Sequence, residues 1–261
     1  MHKYIKKIAA KVLKFENELV RNNIFPIGLL CESDIFIASY PKSGATWLQY
    51  ALANLIFGLD IEKATDDFIN LLIPDYHASQ YFIKTGFPTL VKSHALPQEK
   101  MRKVIHLVRD GRDVMASYYG MHKSRGKQIT LSDMIISKKG LFPCAWNIHC
   151  EHWIENKYGA DKITITYEEM KRHPYKSLSD IAKFIQIDRT SSQIEHAILK
   201  SEFDKMQMRE IKMGWKSGSK MNNGLFIRSG KVGGHVSEIP SELLNVFENE
   251  NKEVLIKFGY L

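Results

Sequence analysis

Ser39-Tyr40-Pro41-Lys42-Ser43-Gly44-Ala45-Thr46-Trp47 is the stretch on which the reading of this chain turns. A short apolar run, Ile35-Phe36-Ile37-Ala38, stands before it, and residues 48–57 behind it carry apolar side chains at helical spacing. The order is strand, turn, helix. Pro41 and Gly44 punctuate the turn, and Gly44 lets the backbone come close to a ligand. A helix starting there aims its unpaired N–H groups and its positive dipole end into the turn, which makes an anion site. Lys42 adds a full positive charge, and Ser43 and Thr46 add hydroxyl donors. The stretch is expected to hold a phosphate. It is not a Walker A loop, where the lysine follows the second glycine and a Mg²⁺-binding hydroxyl comes next. Here Lys42 precedes the only glycine. Taken alone, the stretch would also fit an ordinary strand–turn–helix with a surface lysine.

The flanking sequence repeats the pattern. Residues 88–92 read as a second strand ending at Ser93-His94, and residues 103–108 as a third. The turn at 109–113 leads into a helix over 114–121, with Asp110 or Asp113 as its cap. Residues 162–167, β-branched and preceded by Gly159, read as a fourth strand. Helices are expected near 131–137 and 144–157, from Pro174 to about 184, and over 241–258 with Gly259 as the stop. Residues 60–81 suggest short helices and loop. Residues 212–234, rich in Gly, Ser, Lys and Asn, suggest one long loop, and loops of that length usually carry function.

Strands alternating with helices imply an α/β fold: a parallel central sheet flanked by helices on both faces, in three layers. We read residues 1–261 as one domain, with residues 1–30 as an N-terminal helical extension. Ligands of such sheets sit beyond the carboxyl ends of the strands. Lys42, His94, Arg109 and Tyr167 each stand at or just past such an end, so four strands send polar groups to one rim.

Composition bounds the alternatives. The 261 residues are 44% hydrophobic and 25% charged, which is ordinary for a globular domain. A net charge of +8 suits an anionic ligand, and would also suit nucleic acid or an acidic membrane. The lysines are scattered, which favours a small polyanion over nucleic acid. Cys31, Cys144 and Cys150 form no Cys-x-x-Cys pair, which points to reduced thiols and a cytoplasmic location. His149, Cys150 and His152 lie close together, but tetrahedral zinc needs a fourth ligand and the sequence offers no second cluster. No metal is expected, and aromatic helix packing is the better reading of that stretch. No apolar run is long enough to span a bilayer. Residues 1–20 are too charged for a secretory signal, and their basic amphipathic face is expected to pack on the domain rather than on an acidic membrane.

Several of these motifs, in order, resemble one family. Tyr40 to Trp47 is similar to the 5′-phosphosulfate loop of the sulfotransferases that use 3′-phosphoadenosine 5′-phosphosulfate (PAPS). Residues 104–119, with Arg109 and Ser117, resemble that family's 3′-phosphate-binding strand and helix. Lys92-Ser93-His94 looks like the segment with the catalytic histidine, and Tyr167-Glu168-Glu169-Met170 like the adenine-side tyrosine segment. Ser201-Glu202-Phe203 resembles another adenine-side segment. Ile227 to Gly234 is similar to the late Arg-Lys-Gly loop that closes on the nucleotide. The similarity runs from about residue 34 to the end of the chain and implies a P-loop-like sulfotransferase fold.

It also implies a chemistry: in-line sulfuryl transfer from PAPS to a hydroxyl or amine of a small-molecule acceptor, leaving 3′-phosphoadenosine 5′-phosphate (PAP), without a metal. Lys42 would neutralise the leaving group, Lys92 would steady the sulfuryl oxygens, and His94 would be the base. Ser43, Gly44, Ala45 and Thr46 would cradle the 5′-phosphosulfate, Arg109 and Ser117 would hold the 3′-phosphate, and Trp47, Tyr167 and Phe203 would flank the adenine. Arg228, Ser229 and Gly230 would close over the nucleotide. Ser229 stands where the family usually has lysine, with Lys231 as the nearest substitute, and Gly234-His235-Val236 replaces a frequent Asp-Trp-Lys. The C-terminal dimer motif of many animal members is not visible, which leaves the oligomeric state open. Acceptor contacts are sought among Tyr76, His77, Tyr81, Phe82, Tyr119, His122, Phe142, Trp146 and residues 206–215, with core packing the competing reading. A P-loop nucleotide kinase and a basic nucleic-acid-binding module remain the alternative functions. Mg²⁺-dependent ATP binding would favour the first, and steeply salt-dependent binding without 3′-phosphate selectivity the second.

Overall fold

The computed structural model describes residues 18–214 and 224–261. Six strands run through them: β1 (Ile24–Pro26), β2 (Ile35–Ser39), β3 (Tyr81–Ile83), β4 (Leu90–Ser93), β5 (Lys103–Val108) and β6 (Asp161–Thr166). The α-helices that follow and separate them are α1 (Ala45–Phe57), α2 (Asp66–Leu72), α3 (Gly111–Ser124), α4 (Leu131–Ile135), α5 (Trp146–Glu155), α6 (Tyr167–Arg172), α7 (Pro174–Phe184), α8 (Ser191–Lys200), α9 (Phe203–Met213), α10 (His235–Glu238), α11 (Ser241–Glu250) and α12 (Lys252–Lys257). No described helix is long and apolar enough to cross a membrane.

The central sheet is parallel, in the order β4-β2-β5-β6. Strands buried on both faces should read as unbroken apolar runs, and β2 is buried at all five positions. Alternation then divides its residues. Ile35 and Ile37 join Leu90, Ile105 and Leu107 in a core under α1, α7, α8 and α9. Phe36 and Ala38 join Val91 and Val104 on the opposite face, with Trp153 of α5 and Phe82 of β3. A third cluster packs α3 and α4 against α11 and α12. Helices thus cover both faces of the sheet, which gives the three layers expected.

The register fixes the rim. β2 pairs with β4 on one side, Ala38 opposite Ser93, and with β5 on the other, Ser39 opposite Leu107. β5 pairs with β6, Val108 opposite Thr166. All four strands end at nearly one level, so the residues just past each end face a common cleft.

Several boundaries differ from the sequence reading. The helix expected over 114–121 spans Gly111–Ser124 because Asp110, not Asp113, caps it, accepting from Arg112 N–H at 2.9 Å. The fourth strand stops at Thr166, whose hydroxyl accepts from Glu169 N–H and starts α6 at Tyr167. The closing helix is two helices meeting at Asn251, whose amide donates to Phe247 O. Of the helical extension expected over 1–30, residues 1–17 lie outside the described residues, and the rest includes β1, paired antiparallel with β3. α8 and α9 were not foreseen, although Thr190 and Gln193 form a visible capping box.

Candidate active site

The turn after β2 is shaped by two left-handed residues, Lys42 at φ +72° and Gly44 at φ +98°. The first is uncommon for a residue with a side chain and marks a held conformation. Ser43 N–H donates to Tyr40 O at 3.2 Å, and α1 begins at Ala45. A Cβ on Gly44 would stand 2.7 Å from the Tyr167 ring, so only glycine lets the turn sit against that tyrosine. The buried Ser43 Oγ has no partner. The Lys42 ammonium stands 3.7 Å over the Phe226 ring. Burial first, and then the charges of Arg125, Arg109 and Arg228, push its pKa down to about 7, against some help from Glu210. Three cations around a fourth make a place that is electrostatically incomplete without an anion.

His94 lies one strand away, just past β4. Its Nδ1 lies 2.8 Å from Ser39 O, the last residue of β2. A carbonyl only accepts, so Nδ1 carries the proton and Nε2 is left as the basic nitrogen. His77 stacks parallel on the ring at 6.1 Å, and its Nε2 accepts from His94 N–H at 3.1 Å. Burial, and next the Lys92 charge, bring the His94 pKa down to about 4, against the Ser39 bond and Asp75. The imidazole is therefore neutral at physiological pH.

Lys92 sits on β4 with its ammonium 2.9 Å from Asp75, both side chains largely buried. Burial alone would raise the Asp75 carboxyl, but Lys92 overrides it and holds it below its ordinary value. The expectation that Lys92 steadies sulfuryl oxygens thus meets a lysine already paired, and Asp75 is a site residue the sequence reading missed. The link spans 17 positions and depends on residues 74–76 running beside β4, where Lys92 N–H donates to Pro74 O and Tyr76 N–H to Lys92 O.

Arg109, just past β5, is buried and lies over the Tyr167 ring at 4.4 Å. Its Nη1 donates to Lys42 O at 3.2 Å and its Nη2 to Lys231 O at 2.8 Å, while Nε is buried without a partner. One guanidinium thus touches the first turn, the late loop and Tyr167. Its ion pair is Asp113, at 3.6 Å, not Asp110. Asp113 also accepts from Gly233 N–H, His235 N–H and His235 Nδ1 at 2.8–3.0 Å. Burial would raise its pKa, but the His235 bonds and then Arg109 keep it below its ordinary value. Asp113, one of the two residues the sequence offers as the cap, anchors the late loop. Glu210 holds the other end, accepting from Phe226 N–H at 2.5 Å and Ile227 N–H at 2.8 Å.

The adenine-side residues also converge. Trp47 meets Tyr167 edge-on at 5.4 Å, and Tyr167 OH donates to Gly230 O at 3.0 Å. Gly230 lies against Phe203, where a Cβ would come within 2.6 Å of the ring. Arg228 is engaged by Glu238 at 2.6 Å. A cleft of about 700 Å³ joins these parts: Lys42, Gly44, Ala45, Thr46, Trp47, Lys92, His94, Arg109, Ser117, Tyr167, Phe203, Arg228, Ser229 and Gly230 line it. Ser43 is fully buried and does not line it.

The aromatic candidates for acceptor contact divide. His77, His122, Phe142 and Met206 line the cleft. Phe82 and Trp146 are fully buried core residues, Tyr76 packs edge-on against Phe36, and neither Tyr81 nor Tyr119 reaches the cleft. Trp215 lies outside the described residues. His149, noted beside Cys150, is buried with its ring edge-on to Tyr40 at 5.5 Å, while His152 is exposed near Glu155. Aromatic packing accounts for that stretch.

A model of the sulfotransferase domain matches residues 32–259. Among curated proteins, dog sulfotransferase 1B1 is 26% identical over 67% of this chain and 66% of its own length. Mouse sulfotransferase 1E1 is 25% identical over 84% of this chain and 82% of its own. Mouse sulfotransferase SULT7A1, crystallised with PAP, superposes with a TM-score of 0.64 at 23% identity, covering 86% of this chain and 84% of its own. That last likeness is one of fold. The alignments thus span from just under two thirds to about four fifths of the relatives' lengths.

Proposed function

The chain belongs to the sulfotransferase domain family, and from that premise we propose that it moves a sulfuryl group from PAPS to a hydroxyl or amine of a small molecule, with Lys42 and His94 at the reacting atoms. The observation that carries the reading is the rim. Three adjacent parallel strands deliver Lys42, His94 and Arg109 to one cleft, and Arg109 Nε on that cleft and Ser43 Oγ in the turn before α1 are buried without a partner among the described residues. Buried polar atoms without partners are rare, and two beside a helix N-terminus suit a phosphorylated nucleotide. PAPS would supply an activated sulfuryl group with a phosphate as leaving group.

The chain's residues would then act as follows. The α1 N-terminus, Ser43 Oγ and Lys42 fix the 5′ end. Arg109, with Ser117 one strand-to-helix turn on, takes the 3′-phosphate; a planar guanidinium suits that fork. Trp47, Tyr167 and Phe203 bound a slot of base-stacking character. Lys42, protonated when an anion is beside it, meets the charge that develops on the leaving oxygen. His94 Nε2 accepts the acceptor's proton, because Nδ1 is committed to Ser39 O. Lys92, held by Asp75, fixes the field at His94. Charge stabilisation here comes from Lys42 and backbone amides, as in other transfers governed by positioning, so the reading needs no metal. A cleft of about 700 Å³ suits a small acceptor.

Arg109→Ala tests the nucleotide assignment. Calorimetric titration should show PAP binding weakened by about 1.5–3 kcal/mol, the scale of a hydrogen bond to a charged group. Binding of adenosine 5′-phosphosulfate, which lacks the 3′-phosphate, should change little. Equal losses for both ligands would remove Arg109 from that role.

A further inference from the structure

We propose that the acceptor carries an anionic group, a carboxylate in the first instance, and that Arg125 at the end of α3 receives it. The proposal rests on the transfer reading above and names the substrate class that reading leaves open. Arg125 follows the last residue of α3, its N–H donating to Met121 O and His122 O. It stands eight residues beyond Ser117, about 12 Å along a helix that rises 1.5 Å per residue. Ser117 is assigned to the 3′-phosphate; Arg125 lies beyond it and acts on the Lys42 ammonium more strongly than Arg109 does, which puts it beside the reacting centre, where an acceptor must meet the donor. Its surroundings agree: Tyr118, His122 and Phe142 line the cleft with it, and Phe142 packs edge-on against His77, which stacks on His94.

Arg125 Nε is buried and has no hydrogen-bond partner among the described residues. The acids that line the same cleft are committed elsewhere. Asp75 is paired with Lys92, Asp113 with Arg109 and His235, Glu238 with Arg228, and Glu202 with Lys205. Lys127 lines the cleft near Arg125, and among the described residues neither has an acidic partner. A guanidinium left half-buried and uncompensated is costly, and a planar carboxylate is its natural complement. The same field repels an ammonium, so cationic amines are disfavoured as acceptors.

The test uses the full chain loaded with PAP and three matched phenols as probes: 4-hydroxyphenylacetate, its methyl ester and tyramine. Titration calorimetry reads the affinity of each for the binary complex, in wild type, Arg125→Gln and Arg125→Lys. PAP affinity, measured first, reports both the fold of each variant and the nucleotide reading. If wild type binds no PAP, the transfer reading has failed, and this proposal with it. With PAP bound, the carboxylate should bind about tenfold or more tighter than the ester, and tyramine more weakly than either. That preference should vanish in Arg125→Gln and partly return in Arg125→Lys. No preference for the carboxylate in wild type, including failure of all three probes to bind, overturns the proposal. So does a preference that survives in Arg125→Gln. A loss of PAP affinity in Arg125→Gln comparable to that in Arg109→Ala would assign Arg125 to the donor and overturn it equally.

Discussion

His94 takes its tautomer from a backbone carbonyl on the neighbouring strand, at 2.8 Å, and its neutrality from burial and Lys92. Its depressed pKa moves the expected pH dependence. An unperturbed imidazole titrates near 6.5, and a base with that value would lose function across the physiological range. With a pKa near 4, His94 stays basic above about pH 5. Lys42 works in the opposite sense: it acts protonated, and in the free protein its charge is lost as pH rises through about 7. Because kcat/KM reports free-enzyme pKa values, kcat/KM for PAPS should rise with pH through about 4 and fall above about 7. Lys42→Arg, which stays charged, should remove the falling limb even if the plateau is lower. A falling limb unchanged in Lys42→Arg would show that another group sets it. His94→Ala should cost on the order of 10²–10⁴ in turnover, the usual worth of general-base help, while PAP affinity stays within about twofold. Near-normal turnover in His94→Ala would move the base to another residue.

At the scale of elements, α3 carries both ends of the site. Its first turn supplies Asp113 to the late loop, its middle supplies Ser117, and its end supplies Arg125. Asp113 is almost fully buried and accepts three hydrogen bonds from the loop that holds Gly233 and His235. Removing an acceptor that leaves buried donors unsatisfied costs about 1–3 kcal/mol each. Asp113→Ala should therefore loosen residues 228–235, seen as faster amide hydrogen exchange there than in β5, and weaken PAP binding at least tenfold. Unchanged exchange in that loop would mean that Arg109 and Tyr167 suffice to hold it. These couplings also show what the sequence could carry. The strand–turn–helix around Lys42 was readable because one local period gives way to another. The cap at Asp110 was readable to within three residues. The Asp113–His235 link was not, because it joins positions 122 apart and nothing local marks it. The three-residue strands β1 and β3 are too short for a period to show, and their pairing is itself long-range.

At the scale of the whole molecule, the parallel sheet organises the rest. β2, buried at every position, pairs with β4 and β5 at the centre while β6 forms a partly exposed edge, and the carboxyl edge of the sheet gathers residues from positions 42 to 231 into one cleft. Lys42, Arg109, Tyr167 and Phe203 were legible because each follows a strand or opens a helix, whereas Ser117, within α3, and Arg228 to Gly230, in a loop, were named only through the family resemblance. The acceptor end was not legible, since it is built from helix ends and loops such as Arg125 and Phe142, whose meeting depends on tertiary packing. Phe82 and Trp146, considered there, are core instead. The net charge of +8 likewise says only that an anion is welcome; the cleft says where. The central claim is that the chain transfers sulfuryl from PAPS to a small molecule through Lys42 and His94. Its most direct test is to incubate the full chain with PAPS labelled in the sulfuryl group and a mixture of small phenols, alcohols and amines, following the label by mass spectrometry. Label should appear covalently in a small molecule, with PAP formed in equal amount, unaffected by a chelator and lost in His94→Ala. Label that stays on the nucleotide, or leaves only as free sulfate at the same rate in wild type and His94→Ala, would contradict the account.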